Sequence, residues 1–261
     1  MAQFAGKVAI VMGASTPGGM GAATARRLAQ EGATVVVSGL GEQPLKELAD
    51  EISGIAFEAD ITSKSANEAL MDFTLERYGQ IDLAVNHAGL AIRCPIAEQS
   101  EEHLLQMLQV NYVGTVWFIK AVADKMVDGG AIVTTSSLGA HDAVIGMSAY
   151  ACAKRAADRF VEAAALEYRH KQLRINAIIP SINNTDMLRQ GIESRGYNFD
   201  DFVALYQQVT PLGRISTPDD IAGMVCLLLH EEFFETGQLI HCSGGNSLLG
   251  QPRALVVQPT K

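Results

Sequence analysis

KVAIVMGASTPGGMGAATARRLAQE, residues 7–31, decides the fold. Residues 7–12 form an apolar, β-branched run that reads as a buried strand, and residues 19–31, rich in alanine and arginine, read as a helix. Between them, MGASTPGGMG (residues 12–21) crowds Gly13, Gly18, Gly19 and Gly21 into one turn. Glycine lets a backbone fold tightly and approach a ligand closely. The helix beyond it offers free N–H groups and the positive end of a dipole, which suits a pyrophosphate. Any tight strand-to-helix turn needs glycine, so the loop alone is weak. Its place after the first strand of an alternating chain is what gives a dinucleotide-binding reading.

The alternation continues. Residues 33–38, 55–57, 81–85, 131–136, 173–179 and 238–242 read as strands, and residues 43–53, 63–78, 110–126, 148–170 and 219–230 as helices. Continuous apolar strands imply burial on both faces. The expected fold class is α/β: a doubly wound Rossmann-type domain spanning residues 1–261, with a parallel sheet of about seven strands flanked by helices on both faces. Two segments break the rhythm, an insertion over residues 187–210 and a tail over residues 246–261.

Composition bounds the function. With 48% hydrophobic residues the chain can bury a large core, and its net charge of −9 argues against a nucleic-acid groove or an anionic membrane surface. Cys94, Cys152, Cys226 and Cys242 show no paired spacing, so free thiols in a reducing compartment are expected. The opening stretch, MAQFAGKVAIVMGAS, has no secretory pattern, and no apolar run is long enough to span a bilayer. A cytoplasmic location is the expectation.

SAYACAKRAADRF (residues 148–160) puts Tyr150 one helical turn before Lys154, on one face. A free phenol titrates near pH ~10, too high for a base at neutral pH, and a nearby ammonium favours the phenolate. Such a pair can move a proton at a substrate oxygen while hydride moves at the adjacent carbon. The same spacing also occurs on ordinary surface helices, so the surroundings decide. Ser137 ends the strand AIVTTSS, NHAG (residues 86–89) ends another, and Asn111 lies in VNYVGT at the start of a long helix. All belong to the carboxyl edge of the sheet, where α/β sites lie.

With these motifs the chain resembles the short-chain dehydrogenases/reductases from Gly6 to about Asn246. Ser137, Tyr150 and Lys154 stand at that family's serine–tyrosine–lysine spacing, Asn111 at its fourth catalytic position, and NHAG at its NNAG motif with His87 for the second asparagine. INAIIPSINNTDM (residues 175–187), PLGRISTPDDIA (211–222) and TGQLIHCSGG (236–245) complete the pattern. The resemblance implies an oxidoreductase using NAD or NADP. Tyr150 is the acid/base, Lys154 lowers its pKa and holds the nicotinamide ribose, Ser137 binds the carbonyl oxygen, and Asn111 holds a water that links Lys154 to solvent. It implies cofactor contacts from Gly13, Ser15, Gly19 and Met20 in the first turn, and from Gly39 and Leu40 after the second strand. Asp60 and Ile61, Asn86 and Ala88, Tyr150 and Lys154, and Asn183 and Thr185 complete the cofactor set. Substrate contacts fall to Ser137, Tyr150 and Met187.

The chain departs from the family mostly around the cofactor. Met12, Ser181, Asn183 and Ser243 replace the usual threonine, glycine, aliphatic residue and aspartate. Ser38-Gly39-Leu40-Gly41 carries neither the acid that binds a ribose 2′-hydroxyl nor an arginine for a 2′-phosphate. With no cation in the glycine-rich loop either, the reading leans to NAD. His87 reads first as a structural hydrogen-bonding residue, with tuning of the site as the alternative. HEEFFE (residues 230–235) lacks metal-ligand spacing, so no metal is expected.

The insertion carries Met187, Leu188, Ile192, Tyr197, Phe199, Phe202, Leu205 and Tyr206, which read equally as a lid for a hydrophobic ketone or alcohol and as self-packing. Two other readings stand beside this one. A reductase of acyl chains on an acidic carrier protein would need surface cations, of which Lys125, Arg169, Lys171 and Arg174 are the candidates. A non-catalytic dinucleotide sensor or scaffold would explain the altered cofactor motifs. The resemblance further implies a homotetramer.

Overall fold

The computed structural model describes residues 2–252; residues 253–261, the end of the expected tail, lie outside the described residues. One parallel sheet organises the chain, in strand order β3-β2-β1-β4-β5-β6-β7. Its strands are β1 Val8–Met12, β2 Thr34–Gly39, β3 Ile55–Glu58, β4 Leu83–Asn86, β5 Ala131–Thr135, β6 Arg174–Pro180 and β7 Leu239–Cys242. Every neighbouring pair is parallel.

Alternation along each strand divides the core in two. Ala9 and Val11 of β1 join Val35, Val37 and Val85 beneath α1 (Met20–Gln30), α2 (Glu42–Glu51) and α9 (Pro218–Leu229). Ile10 and Met12 face the other way with Val36, Ala84 and Ile132. That face is covered by α3 (Lys64–Tyr78), α5 (Gly114–Lys125) and α6 (Ser148–Glu167). Helices therefore cover both faces, as the unbroken apolar strands required.

The chain runs β1 to β3 in one direction, then returns to place β4 beside β1 on the other side. Strand order reverses between β1 and β4, and a crevice opens at the carboxyl ends of the two strands.

Three elements differ from expectation. The helix expected over residues 110–126 begins earlier, as α4 (Glu101–Leu108), passes through a π-turn at Gln109–Val113 and continues as α5. Ser100 caps α4 by accepting from His103 N, with Glu101 and Glu102 in its first turn, a start signal visible in the sequence. The insertion folds into α7 (Asp186–Glu193) and α8 (Phe199–Gln208). Here Ile192, Phe199, Phe202 and Tyr206 pack with Ile215 in a small core of their own, so these side chains hold the insertion together. Residues 246–249 form a short helix, α10 (Asn246–Leu249), not a plain tail.

Two motifs prove structural. In PLGRISTPDDIA, Thr217 caps α9 in a reciprocal capping box with Asp220, whose carboxylate also takes a hydrogen bond at 2.8 Å from Arg214. Ser181, in place of the usual glycine, donates at 2.6 Å to Asn246 Oδ1, which ties the insertion to the chain after β7.

Phe118 is fully buried on the α3–α5–α6 side of the sheet. Phe118→Ala is expected to lower unfolding free energy in urea by about 3–5 kcal/mol.

Candidate active site

The crevice is built on close backbone contact. Gly13 ends β1 at φ +84, and a Cβ there would stand 2.4 Å from Ala88 N, just after β4. Gly21 packs as tightly: its Cβ would meet Gly13 O at 2.2 Å. Gly19 caps α1 without any side-chain hydrogen bond, and the first turn holds no acid. The leading N–H groups of α1 thus stay open to an anion. Ser15 Oγ is buried without a partner and lies 2.5 Å from where a Cβ on Gly39 would be. Asn183 is also buried, and both polar atoms of its amide lack partners. A lined, glycine-cradled crevice with orphaned polar groups fits a dinucleotide.

The four residues expected to be catalytic converge beside it. Lys154 is buried, and its Nζ donates to Thr135 O at 2.7 Å. A Cβ on Gly89 would stand 3.2 Å from Asn111 Oδ1 and 3.3 Å from Lys154 Nζ, so that glycine makes room for both. Asn111 lies inside the π-turn, not at a helix start. Its amide donates to Leu90 O at 2.8 Å and Met107 O at 3.0 Å, and accepts from Leu90 N at 3.1 Å. Such turns are frequent at functional sites because they redirect one side chain out of helical phase. Tyr150 lies one turn before Lys154 on α6, with Nζ 6.0 Å from its ring centroid. Ser137 starts a single 3-10 turn, Leu138–Ala140, and accepts from Gly139 N at 3.1 Å.

Burial adds to the electrostatics of the pair. Burial raises the Tyr150 phenol above its ordinary value, the Ser137 hydroxyl draws it partly back, and the Asp158 carboxylate adds to the rise. Burial lowers Lys154 itself to about 8, against the opposing pull of Asp158. Tyr150 therefore holds its proton at neutral pH, while Lys154 remains largely an ammonium.

The other expected residues divide. Met20 opens α1, half-buried against the core. Ile61 is buried, against Gly114. Asn86 is buried; its Oδ1 accepts from Ala88 N at 2.9 Å, which shapes the turn after β4. Asp60 directs its carboxylate to Thr62 N and Oγ1, both at 2.8 Å. Thr185 caps α7, and Asp186 beside it reaches the glycine-rich turn, 3.0 Å from a Cβ on Gly18. Leu40 and Met187 stand out, 64% and 65% exposed, and the structure does not gather them with the rest.

Comparison with known proteins agrees with this architecture. A family model described as enoyl-(acyl carrier protein) reductase matches residues 13–247. The chain belongs to the short-chain dehydrogenase/reductase family. It is an oxidoreductase of carbonyl or alcohol groups, in a family that binds NAD or NADP. It is 30% identical over 254 residues to a diacetyl reductase [(S)-acetoin forming] of Staphylococcus epidermidis, covering 92% of this chain and 98% of the relative. A tetrahydroxynaphthalene reductase of Pestalotiopsis fici is 31% identical over 256 residues, covering 93% and 92%. A solved short-chain dehydrogenase/reductase from Mycobacterium ulcerans superposes with a TM-score of 0.88 at 27% identity, covering 95% of this chain and 92% of that one.

Several residues of this short-chain dehydrogenase/reductase escaped the sequence reading. Thr24 and Thr135 bracket His87, their hydroxyls 2.9 Å from its Nε2 and 2.8 Å from its Nδ1. Both ring nitrogens are thereby satisfied, as a structural role requires. Asp158, buried on α6, takes His141 Nε2 at 3.0 Å and so pins the turn that starts at Ser137 onto the helix carrying Tyr150 and Lys154. Only i+4 spacing from Lys154 hinted at Asp158. No local signal links it to His141.

Burial and the Lys154 charge lower His87 to about 3, so it stays neutral in the folded chain while the unfolded chain protonates it below its ordinary value of 6.5. The unfolded state then binds the extra proton, and stability falls with falling pH. His87→Asn removes this sensitivity. Between pH 7 and pH 5 the wild type should lose about 2 kcal/mol more than the variant in urea titrations.

Proposed function

We propose that the enzyme interconverts a hydrophobic ketone and its secondary alcohol, with NAD as the redox partner and Tyr150 as the proton donor and acceptor. The observation that carries this reading is the meeting of Lys154 Nζ and Asn111 Oδ1 at Gly89, one helical turn from Tyr150 and directly beside the glycine-cradled crevice. Ser137 just beyond β5, with Tyr150 and Lys154 on the helix that follows, can reach whatever occupies the switch point.

The roles follow from the local chemistry. Tyr150, protonated at rest, can donate to a carbonyl oxygen and, as phenolate, take the proton back from an alcohol. Ser137 donates to the same oxygen, a bond that strengthens as negative charge develops there. Lys154 places a positive charge behind the phenol and stabilises the phenolate left after proton transfer. Gly13, Gly19, Ser15 and the open end of α1 would hold the pyrophosphate side, and Asn183 and Thr185 the nicotinamide side. When bound there, the nicotinamide supplies or takes up the hydride.

The relatives reduce, by name, a small diketone and a polycyclic aromatic, which supports a hydrophobic carbonyl substrate. Two of the four cations that the carrier-protein reading would use, Lys171 and Arg174, are tied up within the fold. Lys171 is bound to the carbonyls of Ala123 and Met126 at 2.8 and 2.7 Å, and Arg174 to that of Leu229 at 2.8 Å. Groups tied to helix ends are poor docking sites for an acidic partner.

Tyr150→Phe tests the assignment. NADH-driven reduction of diacetyl and of an aromatic ketone should fall by about 10²–10⁴-fold, with NADH affinity within a few-fold of wild type. Undiminished turnover would refute the role of Tyr150. NADH binding without turnover of any ketone or alcohol in the wild type would favour the sensor reading.

A further inference from the structure

The end of β2 carries no acid of its own, yet the fold brings one to it from the neighbouring strand. In the β2–β3 register Gly39 lies opposite Glu58, and Glu58 Oε1 accepts from Gly41 N at 2.8 Å. That bond holds a carboxylate against the Ser38–Gly41 turn, with its second oxygen free of any partner among the described residues. The space in front of the turn is closed to a side chain at position 39, because Ser15 Oγ sits where its Cβ would go. Two hydroxyls flank that glycine unpartnered: Ser15 Oγ, and Ser38 Oγ on a residue with no exposed surface. Buried hydroxyls left without partners are costly, so a polar ligand group is the natural complement.

The charges near this turn point one way. Glu42 opens α2 just beyond it. Arg26, the first cation of α1, is forked onto Glu51 at 2.6 and 2.8 Å and donates to Pro17 O at 2.9 Å. It is therefore committed. Lys46 lies a full helical turn along α2 from Glu42.

We infer that Glu58 is the specificity residue of the dinucleotide crevice, accepting hydrogen bonds from a ribose hydroxyl pair and repelling a phosphate in the same place. The inference rests on the dinucleotide reading above and deepens it. An acid next to the adenosine ribose is the known physical device for choosing NAD, usually supplied by the second strand itself. Here β3 supplies it: Ser15 Oγ leaves no room for a side chain at Gly39, which ends β2 at φ +154, and Glu58 of the neighbouring strand reaches the turn at Gly41 N.

Equilibrium titration of the full-length protein with NADH and NADPH, by nucleotide fluorescence, tests this without any substrate. Wild type should bind NADH at least about tenfold more tightly than NADPH, since close like charges oppose the second ligand. Glu58→Gln keeps an acceptor for Gly41 N and removes the charge. It should tighten NADPH by about tenfold and change NADH only a few-fold. Added salt should narrow the wild-type gap and leave that of the variant nearly unchanged. Equal wild-type affinities, or a ratio that Glu58→Gln does not move, would overturn the assignment and leave the dinucleotide reading standing. Failure of both nucleotides to bind would overturn both readings.

Discussion

A side chain on Gly13 would collide with the backbone of His87 and Ala88, and this near-contact between the ends of β1 and β4 is the constraint on which the site depends. The reversal of strand order opens the crevice there. The glycines narrow it, so that backbone rather than side chains lines its floor. Gly21 does the same one turn later, and α1 starts with its N–H groups uncapped. Exchange of any one of these glycines would move the floor of the crevice itself, because the nearest atoms are main-chain and cannot rotate away.

The second constraint is the cost of burying Lys154. An ammonium removed from water needs partners, and the fold supplies the Thr135 carbonyl, the Asn111 side chain nearby and the Asp158 field. His87 adds a demand of its own. It must stay neutral beside that charge, which its desolvated site and two threonine hydroxyls ensure. Thr135 serves both groups, through its carbonyl to Lys154 and its hydroxyl to His87. The exchange of asparagine for histidine in NHAG thus remains compatible with a buried cation at the price of acid sensitivity.

Much of this was legible in the chain, for a physical reason: strand and helix periods are local, and so are turn glycines. KVAIVM, ATVVVS and AIVTTS announced the sheet, and Tyr150 with Lys154 announced one helix face. What escaped notice was set by packing across elements. The π-turn at Asn111 leaves no local mark, since its cause is the fit of that amide to Leu90 and Met107. Glu58 looks like an ordinary exposed strand end until β3 is laid beside β2. The direction of the Tyr150 shift also needed the fold. Spacing showed only the lysine beside the phenol, whereas burial, which raises the phenol, appears once the fold is known. Helix α4 is a different case. Its serine cap and acidic first turn were present in the sequence and went unread.

The insertion limits where substrate selectivity can reside. Its largest apolar side chains, Phe199, Phe202 and Tyr206, are turned into a core shared with Ile192 and Ile215. Tyr206 is further held by its hydroxyl, which donates to Gln251 at 2.7 Å. A side chain buried in that cluster cannot also contact a substrate without unpacking it. On the proposed function, discrimination among ketones therefore falls to residues that the cluster leaves outside.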